Sequence, residues 1–164
     1  MDFALDEHQQ EVQRRAQAFA ASEVAPVAAA HDRQGSIPPH IINGAAALGL
    51  LGCEHDFVAY VAGLIEISKA WASLGAVVAV HNSLVCYPIA RYGDAAQKKK
   101  YLPLLTDRKQ LGCYAFAEPL AGSDAGAIRT TAVADGEQFV LNGDKRFVTS
   151  GRLARVAIVY ALTD

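Results

Sequence analysis

The feature that most constrains the fold is a change of grammar near residue 110. Up to Lys109, apolar residues recur at the three- and four-residue intervals that line one face of a helix. Beyond it Gly, Thr and β-branched residues become frequent, and the turn pairs Asp135-Gly136 and Asn142-Gly143 separate short runs of mixed polarity. The chain therefore reads as α+β, with a helical domain over residues 1–109 and β structure over 110–164.

The helical part divides at its prolines and glycines. From Asp6 to about Glu23, Val12, Ala16, Phe19 and Ala20 form one apolar face, and Pro26 predicts a kink or break, with a shorter segment running on to His31. Ser36, Pro38 and Pro39 start a further helix carrying Ile41, Ile42, Ala45 and Leu48, which Gly49 and Gly52 end. Two apolar stretches, about Phe57 to Ser73 and Ala76 to Tyr92, are expected at the centre of the bundle. Asp94 caps a last helix, with Lys98, Lys99 and Lys100 on a solvated face and Tyr101, Leu104 and Leu105 inward. The expected strands are Leu111 to Ala117, Ile128 to Ala134, Gln138 to Leu141, Lys145 to Thr149 and Ala154 to Leu162.

Composition narrows the function. Hydrophobic residues at 52% and charged residues at 20% place the 164-residue chain among globular proteins. A net charge of -2 without a basic cluster speaks against nucleic acid as a partner. The start, with Asp2, Asp6 and Glu7, lacks secretory signal character, and no apolar stretch is read as approaching a bilayer span, so the expectation is a cytoplasmic protein without membrane insertion. Cys53, Cys86 and Cys113 suit reduced core thiols better than disulfides, and the close Cys53-Glu54-His55 grouping has the wrong spacing for a metal cluster.

The stretch from Cys113 to Ala132 carries the most chemistry, because it joins a strand to the turn Gly122-Ser123-Asp124 and then to another strand. Strand-end amides and the Ser123 hydroxyl donate to phosphate or carbonyl oxygens, and Gly122 lets a ligand approach the backbone. By itself such a turn more often only connects strands. Ser123, His81 and Asp124 do not make a hydrolase reading, since no Gly-x-Ser-x-Gly elbow is present.

On these residues the sequence resembles the acyl-CoA dehydrogenase family, whose signature reads roughly Ala-Leu-Thr-Glu-Pro-x-Ala-Gly-Ser-Asp-Ala. Glu118-Pro119, Gly122-Ser123-Asp124 and Arg129-Thr130-Thr131 match it. The resemblance extends through 46–52, His81-Asn82-Ser83-Leu84, 97–103 and 141–149, nearly the whole chain. It implies a helical domain, then part of an antiparallel β-barrel-like middle domain, with the family's C-terminal helical bundle absent from this chain. It further implies FAD, an acyl-CoA thioester substrate, an electron-transfer acceptor, and a homo-oligomer, a tetramer in the family, or a complementary chain.

The resemblance assigns cofactor contacts to Tyr114, Phe116, Ala117, Gly122 and Ser123, and to Phe147, Val148 and Thr149, where relatives carry Trp-Ile-Thr and the threonine hydroxyl meets the flavin ring near N5. It makes Ser123, His81, Leu84 and Val85 substrate contacts, although an apolar helix with one histidine is more often only core. The family reaction removes the α proton of an acyl-CoA with a glutamate and passes hydride from the β carbon to flavin, giving a trans-2-enoyl-CoA. No segment matching the part that carries that glutamate is found, so no catalytic base is assigned. Ala117 stands where most relatives have Thr or Ser, and the Pro-Glu-Glu-Tyr-Gly-Gly loop that follows the Leu-Gly segment in relatives is missing. Two alternatives stay open: a non-catalytic acyl-CoA or partner-binding remnant, and one half of a split enzyme.

Overall fold

The computed structural model describes residues 4–52, 56–106 and 110–163. Cys53-Glu54-His55 lies outside them.

The chain opens with α1 (Glu7–Phe19), started by a reciprocal cap in which the Asp6 carboxylate accepts from the Gln9 amide at 2.8 Å and the Gln9 side chain accepts from the Asp6 amide at 3.1 Å. Pro26 does not break the helical path. The winding widens to a π segment at Ala20–Val24, where the Ala25 amide bonds to the carbonyl of Ala20, and then continues as α2 (Ala25–Gln34). Proline has no amide proton and its ring crowds the carbonyl four residues back, so widening the preceding turn lets the helix pass. The same device precedes Pro88: a π segment at His81–Cys86 joins α5 (Ala72–Val80) to α6 (Tyr87–Tyr92).

Between these lie α3 (Pro39–Ala47) and α4 (Phe57–Ala70), the latter capped by Asp56. The last helix is α7 (Ala95–Leu105), capped by Asp94 and Gln97 in the manner of α1. Ala72–Tyr92 is thus one apolar helix of 21 residues, long enough to cross a bilayer by length and composition, which corrects the expectation that no stretch approaches that span. Leu74, Val78, Val85 and Cys86 along it are wholly buried in the protein's own interior.

Two apolar clusters result. The larger packs Ala16, Ala20 and Val24 against Ile41, Leu50, Ile67, Leu74 and Val78. The smaller gathers Val85, Cys86, Ile89 and Leu105, with Val156 and Ile158 against them, and joins the helices to the β structure.

Strand β1 (Gly112–Ala115) pairs with β4 (Val156–Val159) in parallel, from Gly112 opposite Val156 to Ala115 opposite Val159. That corrects a wholly antiparallel reading: the chain between them returns through the hairpin, the kind of long crossover that a parallel pair requires. The hairpin is antiparallel, β2 (Thr131–Asp135) with β3 (Gln138–Asn142). Gly136, first of its two turn residues, has φ 61°, the left-handed geometry that a type II′ connection needs. Leu162 bonds to Ala132 and Thr130, tying the hairpin to the end of β4.

The expected strand Lys145 to Thr149 is not formed. The Lys145 side chain turns inward, and Phe147 (φ 56°) and Ser150 (φ 62°) leave the extended region.

Candidate functional site

Strand β1 presents two faces. Cys113 and Ala115 are buried, while Tyr114 and Phe116 share the opposite side with Tyr160, just beyond β4. The three rings form a cluster: Tyr114 and Phe116 stack at 5.9 Å, and Tyr160 stands edge-on to both at 5.3 Å.

The base of β1 is fixed by His81. Gly112 donates its amide to His81 Nδ1 at 3.2 Å, so the ring proton sits on Nε2 and goes to the Leu105 carbonyl, with Cys86 Sγ 3.3 Å from Nε2. Burial pulls His81 down to about 4, opposed in part by the bond to Leu105. The neutral ring thus joins the π segment, the end of α7 and the start of β1. Asn82, its neighbour, does the same for another loop: its Oδ1 accepts from Gly52 at 2.9 Å and its Nδ2 donates to Leu50 at 2.8 Å.

His81 and Val85 are 0% exposed, which corrects their expected role as substrate contacts: a side chain with no free surface touches no ligand in this conformation. Leu84, at 37%, keeps exposed surface. Val85 packs so closely on β1 that a Cβ on Gly112 would lie against its Cγ1.

The exit of β1 meets two further segments on a buried ion pair. Glu118 accepts from the amides of Arg129 at 2.7 Å and Thr130 at 2.9 Å and from Lys145 Nζ at 2.8 Å, and Lys145 also donates to the Phe116 carbonyl at 2.9 Å. The Lys145 and Glu118 side chains are 11% and 6% exposed. Beside them the Arg146 amide donates to the Ala117 carbonyl at 2.8 Å. The Lys145 ammonium, followed by these amides, holds the Glu118 carboxyl at about 2. In the sequence Glu118 and Lys145 appear only as letters of matched motifs. The signal in the sequence marks Glu118 alone, a carboxylate inside the apolar run Ala115–Ala121 that needs a partner when buried.

Through Lys145 and Arg146 the structure thus joins Phe116 and Ala117 to the start of the turn that carries Phe147, Val148 and Thr149. Val148 and Thr149 are half-buried, and Phe147 is 93% exposed. Gly122 and Ser123 are exposed in the loop after the Glu118–Ala121 closure, where paired backbone bonds of 2.8 and 3.2 Å tie the loop back. A Cβ on Gly122 would meet no atom within 4 Å, so its surface is open. The Gly112 amide points away from β4, and by strand alternation those of Tyr114 and Phe116 point the same way, along the edge that has no strand partner among the described residues.

That arrangement suits a large planar polar group: amide donors along an open strand edge, carbonyl and hydroxyl groups at the strand exit, aromatic and aliphatic walls, and an exposed Gly-Ser loop for a phosphate. A separate cleft of about 490 Å³ lies between α6, α7 and β4, lined by Pro88, Ile89, Tyr92, Tyr101, Arg155 and Ile158 among others. None of the expected site residues lines it.

Comparison with known proteins places this geometry. Residues 6–109 match the family model for the acyl-CoA dehydrogenase N-terminal domain, and residues 113–164 match that for the middle domain. The chain is 38% identical to the mitochondrial short-chain specific acyl-CoA dehydrogenase of Mus musculus over 98% of its own length and 41% of that protein's. It superposes on butyryl-CoA dehydrogenase from Megasphaera elsdenii with a TM-score of 0.92 at 31% identity, covering 100% of this chain and 46% of that one. On a glutaryl-CoA dehydrogenase from Mycobacterium smegmatis in complex with FADH2 the TM-score is 0.89 at 30% identity, covering 98% and 44%. The chain spans less than half the length of these relatives.

Proposed function

The chain belongs to the acyl-CoA dehydrogenase family, and on that footing we propose that it supplies part of an FAD and acyl-CoA site for α,β-dehydrogenation of an acyl-CoA to a trans-2-enoyl-CoA. The observation that carries this reading is the junction of the strand exit with the 145–149 turn, where Lys145 donates to the Phe116 carbonyl and Glu118 and the Arg146 amide donates to the Ala117 carbonyl. The complex of the related glutaryl-CoA dehydrogenase with FADH2 supports the choice of cofactor.

Bound there, FAD supplies the two-electron acceptor for the reaction. The residues of this chain hold and orient: the β1 edge and Thr149 offer hydrogen bonds, Phe116 and Val148 exclude water, and Gly122-Ser123 leaves room for phosphate. Ala117 offers only its backbone to the ring where relatives place a side-chain hydroxyl. No base is assigned among the described residues. Glu118 is too acidic and fully engaged, His81 is sealed and held neutral, and Glu66 is buried beside Lys69 at 2.9 Å.

A homo-oligomer and an electron-transfer partner belong to the same reading. The test is spectroscopic: the protein incubated with FAD and freed of excess is expected to keep a visible flavin band, with bleaching by butyryl-CoA under anaerobic conditions expected only where a complementary chain supplies a base. Retained FAD without bleaching favours a half-site that needs a complementary chain, whereas a colourless protein favours the non-catalytic binding remnant. Failure to retain FAD removes the flavin reading.

A further inference from the structure

We propose that Glu118 and Lys145 are positioning residues: their buried ion pair sets where the 145–149 turn sits relative to the β1 exit, and thereby shapes the surface assigned to the cofactor. The inference rests on the flavin reading for its functional consequence, while the clamp itself rests on geometry alone.

The turn needs such a clamp. Residues 145–149 form no ladder, and Phe147 and Ser150 hold left-handed φ values that ordinary side chains rarely adopt. Such a conformation persists only where its surroundings fix it. Here the fixing contacts converge at the start of the turn: Lys145 Nζ on Glu118 and on the Phe116 carbonyl, and the Arg146 amide on the Ala117 carbonyl at 2.8 Å. Glu118 carries the restraint on to β2 through the Arg129 and Thr130 amides. One carboxylate therefore registers three chain segments that are far apart in sequence, and the two carbonyls that Lys145 and Arg146 occupy belong to residues on the candidate flavin strand.

Charge and burial make the pair selective. An ammonium and a carboxylate this far from water are tolerated only together, so removal of either leaves the other without compensation and frees the turn. The supporting shell of a binding surface sets its precision, and displacement by about 1 Å is enough to lose much of a site's function.

The test compares Lys145→Met, which keeps bulk without charge, with Lys145→Arg, which keeps the donors, and uses Asp144→Asn, on an exposed 3.6 Å pair with Arg146, as control. Amide hydrogen exchange at Arg146 without cofactor reads the clamp, and FAD affinity with the position of the bound flavin band reads its consequence. In Lys145→Met the Arg146 amide is expected to exchange about tenfold faster or more, FAD affinity to fall about tenfold, and the band to shift. Lys145→Arg and the control are expected to stay within about threefold of the parent on both readouts.

A folded Lys145→Met protein with parental protection at Arg146 overturns the clamp, as does a loss of melting temperature with exchange and flavin band unchanged. If the parent fails to retain FAD, the flavin reading falls and the exchange result still decides the clamp. Should Lys145→Met not fold, Glu118→Gln, which keeps the shape and one acceptor, carries the same readouts with the same deciding outcomes.

Discussion

Replacing His81 by Gln removes the titrating ring that seals the base of β1, and its effect is set by pH. In the folded chain His81 titrates near 4 because burial disfavours the imidazolium, against an ordinary 6.5. The unfolded chain therefore binds more protons than the folded one below pH 6.5, so stability falls as the pH drops through that range and this loss levels off near pH 4. At about 1.4 kcal/mol per pH unit the gap amounts to about 3 kcal/mol. Protonation acts through a visible contact: an imidazolium Nδ1 carries a proton and can no longer accept from Gly112.

At pH 7.5 the variant is expected to be less stable by about 1–3 kcal/mol, because a Gln amide that reaches the Nε2 position leaves no acceptor at the Nδ1 position for the buried Gly112 amide. Toward pH 4 the parent loses about 3 kcal/mol that the variant does not, so its advantage vanishes or reverses. Urea unfolding of both proteins at several values between pH 7.5 and 4 measures the difference, in which acid losses common to both cancel. Parallel stability profiles would refute the argument. Glu118 contributes in a separate window: held near 2, it adds stability above its ordinary 4.5 that is lost as the pH falls toward 2.

Gly112→Ala is expected to cost about 1–3 kcal/mol in thermal unfolding, since the added Cβ meets Val85 Cγ1; combined with Val85→Ala the cost is less than the sum of the two. Asn82→Ala strands the buried Gly52 amide and Leu50 carbonyl and is expected to cost about 2–4 kcal/mol by urea midpoint. Phe147→Ala and Gly122→Ala are expected to leave unfolding within about 0.5 kcal/mol of the parent, because one removes an exposed ring and the other fills open space. Both are nevertheless expected to weaken FAD binding in a fluorescence titration, and unchanged affinity in both would move the site elsewhere.

Local signals in the sequence survive folding and long-range ones do not. Asp94 caps α7 as its spacing predicts, and the Gly136 turn closes a hairpin between runs read as strands. Pro26 and Pro88 are a different case: the rule that proline breaks helices is local, but a single widened turn before each relieves the clash. The parallel register of β1 and β4 is set by the packing of Val156 and Ile158 on Val85 and Ile89, which no window of sequence contains. Lys145 to Thr149 carries the strand formers Phe147, Val148 and Thr149, yet a lysine drawn to Glu118, 27 residues earlier, overrides that propensity.

The candidate site shows the same division. Tyr114 to Ala117 and Phe147 to Thr149 are marked by motif, and the structure joins Phe116 and Ala117 to Lys145 and Arg146 just before the second group. His81 is made a substrate contact by the family resemblance, although a histidine in an apolar helix is more often core. Its partners, the Gly112 amide and the Leu105 carbonyl, come from segments 31 and 24 residues away, and burial among them gives it a structural task.

The most direct measurement for the central claim is amide hydrogen exchange of the protein with and without FAD. The account predicts slower exchange at Tyr114–Ala117, at Gly122 and Ser123, and at Arg146–Thr149, with little change in α1 and α4. Binding of FAD without protection at these segments, or protection confined to the cleft between α6, α7 and β4, would contradict it.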